Sequence, residues 1–427
     1  MPYLSRFRAA RPSGALLLCV LLITAAHAQS VSPPAPASSA APATTLGNRP
    51  SLQDALEAAW ALSPAARSAD SRRAEVLARE RAAASWINGT PSATLAQRSD
   101  RFSANRGFRE YEAELELPLW SPGVRDATAR ELAAQRLSFE PQQLLARLRL
   151  AAEVRELAAS LAIARTERDL AARKLSEART LAQDVDRRVK AGDTARVDSL
   201  LAQSQVAQAA SGAEQAEGAL KRIQNQWLAL TGLSTVPLLN EVPPSPSALS
   251  RPDHPVLQAA QAQVQAAQAK LALTEADKRD PMSLGVGVTR ERATFGAAGE
   301  TTLRLALKIP FGGDNRNIAR IAAARAELET AQADADAAAR QTSGELASAS
   351  VELDAARRTE ATMAERARLS QEVQSLVAKA FRLGESDLPT RLRADSEKFE
   401  ADLSLARARV GLQRAISQLN QALGLLP

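Results

Sequence analysis

The stretch that decides the fold is FREYEAELELPLW, residues 108–120. From Tyr111 to Leu117 every second residue is apolar, and a glutamate stands at each position between them. Alternation with a period of two predicts a β-strand with one apolar and one charged face. The chain around it is rich in Ala, Leu, Glu, Arg and Gln, which favour helices. We therefore expect short amphipathic strands set between long helices.

A second stretch of this kind lies at residues 301–311 and reads TTLRLALKIPF. Its leucines at 303, 305 and 307 alternate with polar or small residues. Pro118 and Pro310 are expected to end the two strands, and they lie 192 residues apart. Strand pairing with the segments just before them predicts two β-hairpins, at 92–118 and 282–310.

Other landmarks recur at almost the same spacing, which predicts an internal duplication. Three pairs carry this argument: Gly192 with Gly384 and Thr231-Gly232 with Leu423-Gly424, both at 192 residues, and Ser63-Pro64 with His254-Pro255 at 191. Each glycine follows a helical pattern, where a left-handed residue often ends a helix. The two halves are therefore expected to share one plan.

The predicted domain organisation follows from this plan. Residues 1–28 have the basic start, apolar run and small-residue cleavage site of a secretory signal peptide, and 29–50 form a disordered Pro/Ala/Ser-rich lead-in. The first repeat is 51–230, with a helix, the hairpin 92–118 and a long helical hairpin turning near 192. A Pro-rich linker spans 231–255. The second repeat is 256–427, with a helix, the hairpin 282–310 and a long helical hairpin turning near 384.

Local signals refine these boundaries. Ser51 and Asp54 resemble a capping box that opens the first helix. Pro141 is expected to kink or interrupt the long helix of the first repeat.

Leu18, instead of a small residue, precedes Cys19, so no lipid anchor is expected at Cys19. No later apolar run is long enough for a transmembrane helix.

The composition argues against several classes of function. After the signal peptide the chain retains one histidine, His254, and no cysteine, so no metal site and no cofactor are predicted. The best enzyme candidates are His254 and the acids Asp277 and Asp280. Ser63 stands where His254 stands in the other repeat, so no catalytic residue and no enzyme activity are predicted. The net charge of +6 comes from scattered basic residues, so nucleic acid is not expected as a partner.

An exported chain with amphipathic strands can cross an outer membrane only as a closed sheet. Each chain offers four strands, which cannot close. Eight strands from two chains would be filled by side chains, whereas three chains would supply twelve strands around a lumen. The predicted fold is thus mostly α with a small β part: long helical hairpins forming an α-barrel, and four strands per chain in a trimeric 12-stranded β-barrel. The residues expected to face the lumen are Glu112, Glu114, Glu116, Arg304 and Lys308.

Two alternatives stay open at this level. The hairpins could cover a helical layer in water, with the charged face outward. The helices alone, with heptad-like apolar spacing, would also suit a soluble periplasmic coiled-coil adaptor or scaffold protein.

The layout resembles the outer-membrane efflux proteins (outer membrane factors, TolC-like). The matching pieces are SLQDALEAAWALSP at 51–64, ELPLWSPG at 116–123, KIPFGG at 308–313 and the turns at 189–205 and 381–397. The order of these pieces carries the resemblance, which covers essentially the whole mature chain. The endings of the strands look most like the CzcC-type branch that serves heavy-metal exporters.

The resemblance implies a homotrimer in the outer membrane of a Gram-negative bacterium, extending into the periplasm. It implies a passive conduit of a tripartite (RND-type) efflux system, with a periplasmic adaptor and an inner-membrane pump as partners, outer-membrane lipid around the barrel, and heavy-metal cations as candidate substrates. The family's periplasmic tip corresponds to the two helical turns. The candidate residues for the gate and for adaptor docking are Gly192, Asp193, Asp198, Gly384, Glu385 and Asp387.

Three-fold symmetry would place each tip acid in a ring of like charge, which filters ions and resists closure unless it is paired. Arg187, Arg188 and Arg382 are candidates for that pairing. The alternative is that the glycines are ordinary helix C-caps and the acids are solvated turn residues. Pro389, just after the second turn, is expected to disturb the local geometry.

Overall fold

The computed structural model describes residues 50–245, 253–312 and 314–427. The predicted signal peptide, the lead-in up to residue 49 and part of the linker lie outside these ranges. In chain order the elements are α1 (Leu52–Leu62), α2 (Pro64–Ala83), β1 (Ser92–Ser99), β2 (Arg109–Leu119), α3 (Val124–Leu137), α4 (Phe139–Ala191), α5 (Arg196–Thr231), α6 (Pro255–Ala276), β3 (Met282–Arg292), β4 (Glu300–Lys308), α7 (Asp314–Leu383) and α8 (Leu388–Ala422). The fold is mostly helical with a small sheet, as predicted.

The first helix begins as the sequence predicts. The Ser51 hydroxyl accepts a hydrogen bond from the Asp54 backbone N–H at 3.1 Å, and the Asp54 carboxylate accepts one from the Ser51 backbone N–H at 2.8 Å. Hydrogen bonds to the Asp54 carboxylate from the Ser51 backbone N–H and from the Ser51 hydroxyl lower the pKa of Asp54. Ser63 then caps α2, with Pro64 as its first residue, and His254 caps α6 in the same way. The two predicted repeats therefore have the same kind of helix start at this position.

The long helical stretch of the first repeat is interrupted at Ser138, which separates α3 from α4. Pro141 is the third residue of α4, where the missing N–H removes no intrahelical hydrogen bond. The predicted interruption is confirmed. In the second repeat α7 continues for 70 residues without a break, which corresponds to about 105 Å.

The four strands form one antiparallel sheet in the order β1-β2-β3-β4. The central pairing, β2 with β3, joins the hairpins of the two repeats, and β1 and β4 are the edges. The prediction that Pro118 ends its strand is wrong. Pro118 lies opposite Ser283, and its carbonyl accepts a hydrogen bond from the Asn88 N–H at 2.9 Å, so β2 continues to Leu119.

The core runs along seams between helices. Where α1, α4 and α5 meet, the buried residues include Leu52, Leu161 and Trp227, whose indole N–H donates to the Thr235 carbonyl at 3.1 Å. Another seam joins α7 and α8 around Leu353 and Ile416. Small alanines line both seams, which explains how the chain packs with so few large rings. Among the described helices, none has both the length and the apolarity needed to span a membrane.

Candidate channel wall and helical tip

The sheet separates its residues into two faces, because side chains directly opposite each other in the register point the same way. Apolar residues from all four strands share one face, here called the apolar face: Leu95, Tyr111, Ala113, Leu115, Leu117, Leu284, Val286, Val288, Leu303, Leu305 and Leu307. The other face, here called the polar face, carries the glutamates of β2. The strand prediction and its two-sided pattern are confirmed.

The apolar face of the sheet is largely exposed, unlike the apolar face of a water-soluble sheet. On the apolar face Leu303 and Leu305 are 77% and 73% exposed. On the polar face the small β3 residues Ser283, Gly285 and Gly287 are buried, whereas Arg304 and Lys308 of β4 are exposed. A sheet in water would cover its apolar side first, because burial of apolar surface drives folding. This face is therefore suited to an apolar surrounding.

Glycines on β3 make room for the glutamates of β2, a feature that the sequence reading did not identify. A Cβ at Gly285 would lie 2.8 Å from a carboxylate oxygen of Glu114, and one at Gly287 would lie 3.7 Å from Glu114 Cβ. Next to them the Ser283 hydroxyl donates to Glu116 at 2.5 Å. The alternation of glycine with valine on β3 is the signal that could have shown this.

The five residues predicted to face a lumen all lie on the polar face. Glu114, Gly287 and Arg304 share one row across three strands. Glu112 and Glu116 occupy the rows on either side, and Lys308 lies opposite Ser283 at the helical end of the sheet. The structure thus brings these five together on one surface, and their position in a lumen remains a prediction.

The two helical turns have the same backbone geometry. Gly192 and Gly384 are left-handed, with φ of 85° and 77°. At each turn the next residue donates its N–H back into the preceding helix, from Asp193 to the Arg188 carbonyl and from Glu385 to the Ala380 carbonyl, both at 2.9 Å. These are Schellman caps. A Cβ at either glycine would meet no atom within 4 Å, so backbone conformation rather than space requires glycine there.

The tip acids have different local roles. Asp193 and Glu385 are exposed turn residues, and Asp198 lies in the first turn of α5. Asp387 caps α8 by accepting a hydrogen bond from the Thr390 backbone N–H at 3.1 Å. Its pKa is lowered by hydrogen bonds from the Thr390 side chain and backbone. Asp387 therefore has a structural role whether or not it also gates.

A small apolar cluster holds the two turns together at one end of the molecule. Val185 and Ala202 of the first repeat pack with Phe381 and Leu388 of the second. Arg188 extends across the same seam, with its guanidinium 5.0 Å from the centre of the Phe381 ring. The predicted tip residues of both repeats are thus neighbours.

Two expectations about the tip are wrong. Arg187 and Arg188 do not pair with the tip acids; both contact Asp184, one turn earlier, at 3.4 and 3.1 Å. Helical spacing of three and four residues favours these partners over the turn. Pro389 does not disturb the tip, because it lies in the first turn of α8, where helices tolerate proline.

A buried ion pair that the sequence did not predict ties the linker and the C-terminus to α4. Arg155 is 4% exposed and binds Glu241, which is 10% exposed, at 2.6 Å. The same guanidinium donates to the Gln421 side chain at 2.6 Å and to the Leu425 carbonyl at 3.0 Å. Nothing in the local sequence distinguishes Arg155 from the other arginines of α4.

The enzyme candidates have ordinary structural surroundings. The His254 Nδ1 accepts a hydrogen bond from the Val256 N–H at 3.2 Å, and burial lowers the pKa of His254. Asp277 pairs with Arg320 at 3.0 Å. Across the described residues, no group of three or more His, Cys, Asp or Glu side chains is arranged to hold a metal ion.

Comparisons with known proteins agree with this architecture. The model of the outer membrane efflux protein family matches residues 247–425. Among curated proteins, no relative matches the sequence. The match confirms the predicted resemblance and, with it, the predicted localisation in the outer membrane of a Gram-negative bacterium, extending into the periplasm.

Solved structures support the fold. A membrane protein from Pseudomonas aeruginosa is 21% identical, with a TM-score of 0.70 over 87% of this chain and 93% of that one. The outer-membrane channel OprN is 20% identical, with a TM-score of 0.71 over 87% and 89%. The outer membrane protein VceC from Vibrio cholerae is 15% identical, with a TM-score of 0.69 over 87% and 96%. They confirm the predicted TolC-like fold of the single chain.

Proposed function

We propose that this chain, whose second repeat matches the outer membrane efflux protein family, is a homotrimeric outer-membrane channel of a tripartite (RND-type) efflux system. It acts as a passive conduit without catalysis. A periplasmic adaptor and an inner-membrane pump are its partners. The single observation that carries this proposal is the sheet, whose apolar face is exposed along all four strands.

The sheet edges support assembly from several copies. The two edge strands, β1 and β4, leave backbone groups without a partner in one chain, and β1 is exposed along its whole length. Open edges are not tolerated in lipid, because unpaired N–H and C=O groups cost several kcal/mol each there. Pairing β4 of one copy with β1 of the next would satisfy both edges, and three copies give the twelve strands predicted from the sequence.

The polar face favours a conduit that prefers cations. On this face six carboxylates, Glu110, Glu112, Glu114, Glu116, Glu291 and Glu300, stand with three cations, Arg98, Arg304 and Lys308. Rings of acidic side chains select cations in channels. This excess of acids is compatible with heavy-metal cations as cargo, the substrate class suggested by the endings of the strands.

The helical tip is the proposed gate and adaptor-docking end. In a trimer, Asp193, Asp198, Glu385 and Asp387 would each form a ring of three carboxylates, and the apolar cluster under the turns would fix their positions. The glycines Gly192 and Gly384 serve this proposal as caps that shape the turns.

A matched pair of substitutions tests the channel wall. Leu305→Arg places a charge on the apolar face, where a membrane-embedded arginine costs about 2–4 kcal/mol at mid-depth. Its neighbour Ala306→Arg places the same charge on the polar face. We expect L305R to abolish membrane-inserted trimers and A306R to assemble and conduct in planar bilayers.

Two results would contradict the proposal. If both variants assembled equally well, the apolar face would not contact lipid. If the unaltered mature protein stayed in the aqueous periplasmic fraction as a monomer, the soluble adaptor or scaffold alternative would replace the channel.

A further inference from the structure

Three arginines lie together at the end of the apolar face that is farthest from the helices. Arg109 of β2 stands directly opposite Arg292 of β3, and Arg290 stands opposite Tyr111 one row away on the same face. We call Arg109, Arg290 and Arg292 the basic rim. Arg109 and Arg290 are exposed, and Arg292 is partly covered by Phe295, whose ring centre is 5.9 Å away.

Charges are segregated between the faces at this level. Glu110, Glu291 and Glu300 form one row on the polar face, and Arg98 lies within 3.7 Å of Glu110 there. In the described part of the chain no ion pair reaches any arginine of the basic rim. Like charges directly opposite each other on a sheet are destabilising. The described chain supplies no anion that would offset this repulsion at the basic rim.

The basic rim begins where the apolar band ends. On β2 the apolar face extends from Leu119 to Tyr111, which is about 26 Å along the strand at ~3.3 Å per residue. A tilt of about 40° reduces this to roughly 20 Å, close to the ~25 Å apolar band of outer-membrane barrels. The rim arginines follow immediately, at the level where lipid headgroups begin.

We propose that the basic rim binds phosphate groups of lipid headgroups in the outer leaflet. This inference rests on the proposed function, which directs the apolar face to lipid and the hairpin loops to the exterior. Arginine suits this ligand because its planar guanidinium donates two parallel hydrogen bonds to a phosphate. Bound phosphate would supply the anion that the rim lacks and fix the depth of the sheet in the bilayer.

The test measures lipid retention by the purified, detergent-solubilised protein with native mass spectrometry. The probes are lipid A carrying two, one or no phosphates, and inorganic phosphate as a competitor. The variants are R109Q/R290Q/R292Q and, as a control with the same charge loss on the polar face, R98Q/R304Q/K308Q. The double variant R109Q/R290Q keeps the contacts that Arg292 makes with the loops, including its hydrogen bond to the Gly107 carbonyl.

We expect binding that increases with phosphate number and weakens about five-fold per arginine removed, so on the order of a hundred-fold for all three. The control should bind like the unaltered protein. Equal loss in the control, or equal binding of dephosphorylated lipid A, would overturn the inference while leaving the channel intact. Full displacement by inorganic phosphate would show a general anion site and overturn it too. An unaltered protein that does not insert into membranes would overturn both this inference and the proposed function.

Discussion

Removal of the Arg155 guanidinium should loosen both the linker and the C-terminal segment. The change Arg155→Met deletes every hydrogen bond to Glu241, Gln421 and the Leu425 carbonyl. It leaves the carboxylate of Glu241 nearly buried without a counter-charge. Breaking a buried pair by removing one partner costs about 3–5 kcal/mol, far more than the ~0–1 kcal/mol of an exposed pair.

Hydrogen exchange measured by mass spectrometry reports local opening of the linker and of the C-terminal segment. Peptides that cover 233–242 and 420–427 should exchange about a hundred-fold faster or more in R155M, since 1.4 kcal/mol corresponds to roughly ten-fold. Arg414→Met is the matched control, because its pair with Glu156 is 44% and 51% exposed. The double change R155M/E241L should regain most of the protection, because no unpaired charge remains.

Two outcomes would refute this reasoning. R155M could exchange no faster than R414M, which would mean that the buried pair adds nothing to local stability. Alternatively, the double variant could exchange as fast as R155M, which would assign the loss to packing rather than to the unpaired carboxylate.

Three further predictions concern the tip, the linker and the polar face. Asp387→Asn keeps the helix cap and removes the charge, so single-channel conductance should rise if the acid narrows the aperture. Asp387→Ala removes the cap as well, and should therefore also lower the Tm by costing about 1 kcal/mol of helix stability. Burial holds the pKa of His254 below its usual value. The contribution of His254 to stability is therefore complete above pH ~6.5 and is lost as the pH falls through the lowered pKa. The Tm of His254→Ser, which keeps a helix cap, should lack this pH dependence. Replacement of Glu112, Glu114 and Glu116 by Gln should shift the reversal potential in a salt gradient toward lower cation preference.

Each of these has a contradicting result. Unchanged conductance in the Asn variant would remove Asp387 from the gate. Equal pH profiles of His254 and its Ser variant would show that another group titrates. An unaltered reversal potential would show that the β2 glutamates do not set ion preference.

Periodicity predicted the strands because a sheet with two unlike faces imposes strict alternation. Tyr111 to Leu117 carries that pattern without interruption, so its faces could be assigned before any coordinates. Glycines such as Gly192 and Gly384 likewise predicted where the helices end and the chain turns, since a left-handed backbone conformation favours glycine. The element order and the caps followed from these local signals.

Features that depend on distant partners could not be predicted in this way. Arg155 meets Glu241 and Gln421 only after the linker and the last helix return to α4, and no local spacing encodes this meeting. Arg188 was assigned to the tip acids by proximity in sequence, yet its helix offers Asp184 one turn away. Pro118 was expected to end β2, but pairing with Ser283 continues past it. Tertiary pairing decided the cases of Arg155 and Pro118, whereas the partner of Arg188 lies within its own helix.

The interruption at Ser138 has a mechanical consequence. The first repeat contains a joint between α3 and α4, whereas α7 of the second repeat is a single rod of 70 residues. A sideways push on the turn at Gly192 can be absorbed by bending at the joint. A force on the turn at Gly384 is transmitted along the unbroken helix α7 to the sheet. We therefore expect the long helix of the second predicted repeat to be stiffer than the interrupted helical stretch of the first.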